Sequence, residues 1–306
     1  MTLGRFDSSE SRSRVISFLS IVLHCRFAIL YICVILPLQG DDSMLIDIHT
    51  HAFPDKIAHK AIEKLSCAAG GLQPQTDGTL TSLKSVLYEE GVDLAVVHSI
   101  ATNPGQQKNV NDFAIAINDD PIMIAFGSVH PDAPDALEEL DRLCDAGIKG
   151  IKLHPEYQSF YADDEKMKPI YRKISSLGFV TLFHAGYDFG FPPPYHAMPE
   201  HLNNALKWFD SPVIAAHWGG LSCAEEVLNK LCGENIWFDI SFGYGTFPKS
   251  VAQRILDTHT PDRLLFGSDM PWHRPSWELQ LLHSLDISKQ DIEKICSQNA
   301  VRLLGI

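Results

Sequence analysis

Met44-Leu45-Ile46-Asp47-Ile48-His49-Thr50-His51 is an apolar run that ends in a His-x-His pair. The run reads as a buried strand. Alternation along it puts His49 and His51 on one face, about 7 Å apart at roughly 3.3 Å per residue, so both imidazoles can reach one metal ion. Histidines fall at this spacing by chance on surfaces and in cores, so the pair gains meaning only from the rest of the chain.

From Met44 onward, short strand-like runs alternate with amphipathic stretches, the pattern of βα units around a parallel sheet. Eight runs fit, at 45–49, 94–99, 123–129, 150–153, 180–183, 213–216, 237–240 and 264–266. Helical segments are expected near 55–66, 106–118, 133–145, 165–176, 199–209, 222–232 and 249–258, with closing helices near 276–284 and 288–303. Eight units in about 260 residues predict an α/β fold of the (β/α)8 TIM-barrel type. A doubly wound open sheet is the alternative. Residues 188–199, rich in proline and aromatics, read as a long loop after the fifth strand.

The expected organisation is a hydrophobic leader over residues 1–43 and one barrel domain over 44–306. Residues 15–38 are almost wholly apolar, with Arg12 and Arg14 before them and Asp41 and Asp42 after them, the outline of a membrane anchor. His24 and Arg26 at mid-span, and the lack of a small-x-small cleavage site, favour a dispensable leader and a cytoplasmic protein. Anchoring through 15–38 is the alternative, and a membrane is a partner only in that case. The chain of 306 residues is 45% hydrophobic and 21% charged, with a formal charge of −13, which argues against a nucleic-acid surface. Seven scattered cysteines without a Cys-x-x-Cys pair give neither a disulfide framework nor a thiolate metal site. Cys223 follows the sixth strand with no activating pattern and is not read as a nucleophile.

Polar, metal-capable residues recur at the strand C-termini, where barrel active sites are built. The first strand ends in His49 and His51, the fourth in Lys152 and His154, the fifth in His184, the sixth in His217 and the eighth in Asp269. One such residue is ordinarily structural. Several imidazoles and a carboxylate converging at one barrel mouth would be poorly accommodated without a cation.

His-x-His followed by His, His and Asp on strands 1, 5, 6 and 8 resembles the amidohydrolase superfamily. Residues 46–54, 150–155, 182–186 and 265–272 resemble its amidohydrolase-related branch, which holds aminocarboxymuconate-semialdehyde decarboxylase and aromatic-acid decarboxylases as well as hydrolases. The resemblance covers 44–306. It implies that His49, His51, His184 and Asp269 bind a divalent metal, zinc by preference with manganese as the alternative. It further implies that His217 contacts or deprotonates a metal-bound water and that Asp269 passes the proton on. Lys152 is expected to contact a substrate anion, with a bridging carboxylated lysine as the other reading, and Arg274 is a second candidate substrate contact. His154, followed by Pro155, is read as a loop residue with a hydrogen bond.

The expected activity is hydrolysis of a small amide, ester or lactone. The alternative is non-oxidative decarboxylation, or hydration, of a small unsaturated or aromatic acid, which would want cationic side chains such as Lys152 and Arg274 near the substrate. A non-catalytic metal-binding barrel and a membrane-tethered binding protein are weaker readings. The expected partner is a small-molecule substrate, and a homo-oligomer is compatible with the sequence.

Overall fold

The computed structural model describes residues 44–306. The leader, including the apolar span 15–38, lies outside the described residues. Among the described residues no helix is long and apolar enough to cross a membrane.

Eight parallel strands follow one another in chain order: β1 (Ile46–Thr50), β2 (Leu94–His98), β3 (Met123–Gly127), β4 (Gly150–Leu153), β5 (Val180–Phe183), β6 (Val213–Ala215), β7 (Trp237–Asp239) and β8 (Leu264–Leu265). The ring closes through backbone bonds from Ile48 N to Phe266 O at 2.9 Å, Asp269 N to His49 O at 2.8 Å and His51 N to Met270 O at 2.6 Å. Helices connect the strands, giving the (β/α)8 barrel. Alternation within the strands builds it. Ile46, Val96, Ile124, Phe126, Leu182, Ile214 and Leu265 form an inner cluster, while Ala95, Val97, Ala125, Ile151 and Leu153 join the larger core beneath the helices. Gly150 makes room inside, since a Cβ there would come within 2.4 Å of the Phe126 ring.

β1 departs from simple alternation. Asp47 pairs with Ala95 and Thr50 with Val97, so three steps on β1 face two on β2, which is a bulge with one extra residue. Ile46 and Ile48 already face the inner cluster. The extra residue reverses the parity beyond Ile48 and turns His49 and His51 into the barrel as well.

The helices fall where expected, with a long addition at Leu80–Glu89 and a single turn at Pro155–Gln158. Leu80–Glu89 is a helix that the sequence reading did not anticipate, capped by Thr79 accepting from Ser82 N and seated on the core through Leu83, Val86 and Leu87. The closing helix runs in three contiguous pieces, the middle one a π-turn over Lys294–Gln298. Residues 188–198 contain no helix or strand, as expected.

His259 ties the Lys249–His259 helix to the barrel. Its ring stacks on Phe238 at 3.8 Å, Nδ1 accepts from Gly233 N, and Nε2–H donates to Ile236 O. Burial pulls its pKa from 6.5 down to about 4. The unfolded chain therefore takes up a proton at higher pH than the native protein does. The resulting stability is complete above about pH 6.5 and is lost as pH falls towards 4, an effect of about 3 kcal/mol. Thermal melts across this window should show wild type losing stability more steeply than His259→Gln; parallel curves would refute the assignment.

Candidate active site

His49 is the centre of the site, and its two ring nitrogens do different work. Nδ1 lies 2.9 Å from Asp239 Oδ2, so Nδ1–H donates to that carboxylate and the lone pair sits on Nε2. His51 is oriented in the same way, with Nδ1–H donating to His98 O at 3.1 Å. The two Nε2 atoms then face each other at 3.2 Å, and Asp269 Oδ1 lies 3.4 Å from the first and 3.2 Å from the second. No proton is shared between the two lone pairs. An arrangement of this kind calls for a cation. The three separations match the edge of a tetrahedron, about 3.3–3.5 Å for metal bonds of about 2.0–2.1 Å. The donor set of two nitrogens and one carboxylate oxygen therefore fits a divalent ion.

Lys152 competes for this place. Its side chain is 1% exposed and its Nζ is 3.0 Å from His49 Nε2. Burial lowers its pKa to about 8, which weakens its hold as a fixed ammonium, while Asp269 and Asp239 oppose the shift.

His217 and His184 form the adjoining half. Ser241 Oγ donates to Asp239 Oδ1 and lies 2.9 Å from His217 Nδ1, so Asp239, Ser241 and His217 form a hydrogen-bonded chain. His217 Nε2 then faces His184 Nδ1 at 3.2 Å, and His184 Nε2–H donates to Tyr187 O at 3.0 Å. Burial and neighbouring cationic groups hold the pKa values of His217 and His49 well below the ordinary histidine range, so both rings are neutral. Asp239 Oδ1 also accepts from the backbone of His217 and Ser241, each at 3.0 Å. His217 and Asp269 both have positive φ, 59° and 68°, a region that costs energy for residues other than glycine. The bonds from Asp269 N to His49 O and from His217 N to Asp239 help to hold these turns.

His49, His51 and Asp269 come together as one donor triad, with Lys152 and His217 beside it. His184 does not join that triad. Its donor atoms group with those of His154 and Asp188, its ring stacks on His154 at 4.3 Å, and it meets the centre through His217. His154 follows β4 outside any helix or strand, with its Nε2 3.3 Å from Asp188 Oδ2. Arg274 is a correction. It does not line the cavity, because Glu90 holds its Nε at 2.5 Å and Glu89 an Nη at 3.3 Å. Both carboxylates stand at the C-terminal end of the unanticipated 80–89 helix.

Sequence reasoning missed Asp239, Ser241, His98 and Asp47. Asp47 accepts from Ser268 Oγ and from the backbone of His49 and Ser268, and burial raises its pKa to about 7. A signal for Asp239 was present, since it is a polar residue ending the seventh strand as the others end theirs. The thiol of Cys223 is pushed up to about 12 by burial, in keeping with no nucleophilic role.

The triad opens into a cavity of about 1140 Å³ that also touches Lys152, His184 and His217. Residues 46–306 match the family model described as Amidohydrolase. No curated protein matches the chain. Among solved structures it is similar to an uncharacterized TIM-barrel protein from Bordetella bronchiseptica, with TM-score 0.68 and 18% identity over 86% of this chain and 98% of that one. A dihydroxybenzoic acid decarboxylase from Polaromonas sp. with bound manganese gives 0.64 and 14% over 86% and 97%. A putative 2-pyrone-4,6-dicarboxylic acid hydrolase from Pseudomonas putida gives 0.59 and 15% over 86% and 97%.

Proposed function

The chain belongs to the amidohydrolase family, and from that premise we propose that it is a metal-dependent hydrolase that opens an amide, ester or lactone bond. The observation that carries this reading is the lone-pair triad of His49, His51 and Asp269 with the His217–Ser241–Asp239 chain at its side. His49, His51 and Asp269 would hold the ion, zinc by donor type with manganese as the alternative; His184, outside the triad and reached through His217, enters the set only from the family resemblance. When bound, a divalent ion supplies a Lewis acid for the carbonyl and a water acidified towards neutrality.

The protein's own groups supply the proton traffic. His217 Nε2 is the base, and its Nδ1–H points to Ser241 Oγ, so the positive charge it acquires is spread towards Asp239. Asp239 also fixes the His49 tautomer. Lys152 Nζ is placed to hydrogen-bond a substrate oxygen. The cavity lining offers a substrate carboxylate few cations: Lys152 inside and Lys56 and Lys64 on an exposed helix face, and none of the described residues in the lining is an arginine. That favours hydrolysis over decarboxylation. Lys152 itself is what a decarboxylase reading would use, as would the likeness to the Polaromonas enzyme.

Two measurements test the proposal. A screen of esters, amides, lactones and hydroxybenzoates should show acid release without carbon dioxide; stoichiometric carbon dioxide would move the reaction to the carboxy-lyases. Metal analysis should find the ion retained in wild type and lost from His49→Ala and His51→Ala, with reduced content in His184→Ala. Full metal content in His184→Ala would remove it from the ligand set.

A further inference from the structure

The helix Asp55–Ala68 carries an apolar arc wider than its seat on the core uses. Ala58 and Ile62, spaced i and i+4, are its buried residues and seat it on the core. Ile57, Ala61 and Leu65, at i, i+4 and i+8, continue this arc beyond the buried pair, and all three line the cavity. Ile57 is 51% exposed there. The Gln107–Ile117 helix borders the same cavity: Ala114 and Ile117 are buried, and Phe113, packed partly against the core, and Val110 reach the lining. Phe191, from the loop after β5, adds a further apolar side chain to the lining. Soluble proteins rarely leave such surface uncovered without a ligand or partner for it.

This apolar lining is continuous with the catalytic centre, since the same cavity touches His49, His51, Lys152, His217 and Asp269. At about 1140 Å³ it lies just above the range of about 300–1,000 Å³ typical of pockets for drug-sized ligands. A small acyl group would leave this apolar lining uncovered. We infer that the substrate is an ester or amide with a long apolar acyl chain, its carbonyl at the His49–Asp269 centre and its chain between the 55–68 and 107–117 helices. The inference rests on the hydrolase reading for the carbonyl and on the apolar lining from the two helices for the chain.

The test uses the full-length, metal-loaded protein with acetyl, hexanoyl and decanoyl esters of one alcohol. Each added methylene should raise kcat/KM about fourfold until the cavity is filled. Ala61→Trp, which puts bulk into the lining, should lower kcat/KM for the decanoyl ester at least about tenfold more than for the acetyl ester. Calorimetric binding of hexanamide and decanamide gives a readout independent of turnover. Decanamide should bind more tightly to wild type, and Ala61→Trp should abolish the difference. Ester cleavage with no chain-length dependence would overturn the inference and leave the hydrolase reading intact. Chain-length-dependent binding without any cleavage would do the reverse. If Ala61→Trp fails to fold, equal binding of the two amides by wild type suffices to reject the inference.

Discussion

Asp269→Asn should cut turnover by about 10²–10⁴-fold, the range typical of a lost acid–base group, while the protein stays folded and keeps part of its metal. Asparagine is the informative replacement for two reasons. Asp269 holds φ at 68°, a conformation that asparagine tolerates better than most residues, so the turn after β8 survives. The amide also keeps an oxygen near the position of Oδ1, 3.2 Å from His51 Nε2, which can still meet a cation weakly but cannot take up a proton. Metal stoichiometry measured beside turnover separates the two functions. A variant with full metal and near-normal turnover would remove Asp269 from proton transfer, and complete loss of metal would make it chiefly a ligand.

The strands were legible because each presents one apolar face to the barrel interior and one to the helices, so all eight read as short hydrophobic runs. The site residues were legible because barrel chemistry gathers at strand ends, and His49, His51, Lys152, His184, His217 and Asp269 all stand there. The β1 bulge was not, because it exists only in the pairing of Asp47 and Thr50 with β2. Alternation alone would have left His49 facing away from Ile46 and Ile48. The 80–89 helix did carry signals, a threonine cap and Leu80, Leu83, Val86 and Leu87 at helical spacing, but it is a second helix within one βα unit, where the alternating pattern calls for only one. Missing that helix is what made Arg274 look free, since Glu89 and Glu90 are delivered by it. Asp239 shows a different failure. Its strand was identified and its position fitted the rule, but a carboxylate that acts through another residue gives no spacing signature of its own.

Because Asp239 serves both halves of the site, Asp239→Asn should weaken metal affinity by about 10–100-fold, the usual cost of losing a partner that orients a metal-binding histidine. The carboxylate receives His49 Nδ1–H on Oδ2, and on Oδ1 it receives the Ser241 hydroxyl and the backbone N–H groups of His217 and Ser241. An amide offers one oxygen where two are needed. With the oxygen at Oδ1, the new NH2 faces His49 Nδ1 and drives the proton to Nε2, which extinguishes the lone pair aimed at His51 and Asp269. In the other orientation the NH2 confronts three donors, which the buried turn accommodates poorly. Ser241→Ala is the control that separates the two branches. It leaves the His49–Asp239 bond in place, so metal affinity should hold, while His217 loses its link to the carboxylate and turnover falls with a shifted pH profile. Competition against a chelator, with turnover measured at saturating metal, reads both quantities. Equal metal loss in the two variants would show that Asp239 works through the loop around Ser241 rather than through the His49 tautomer.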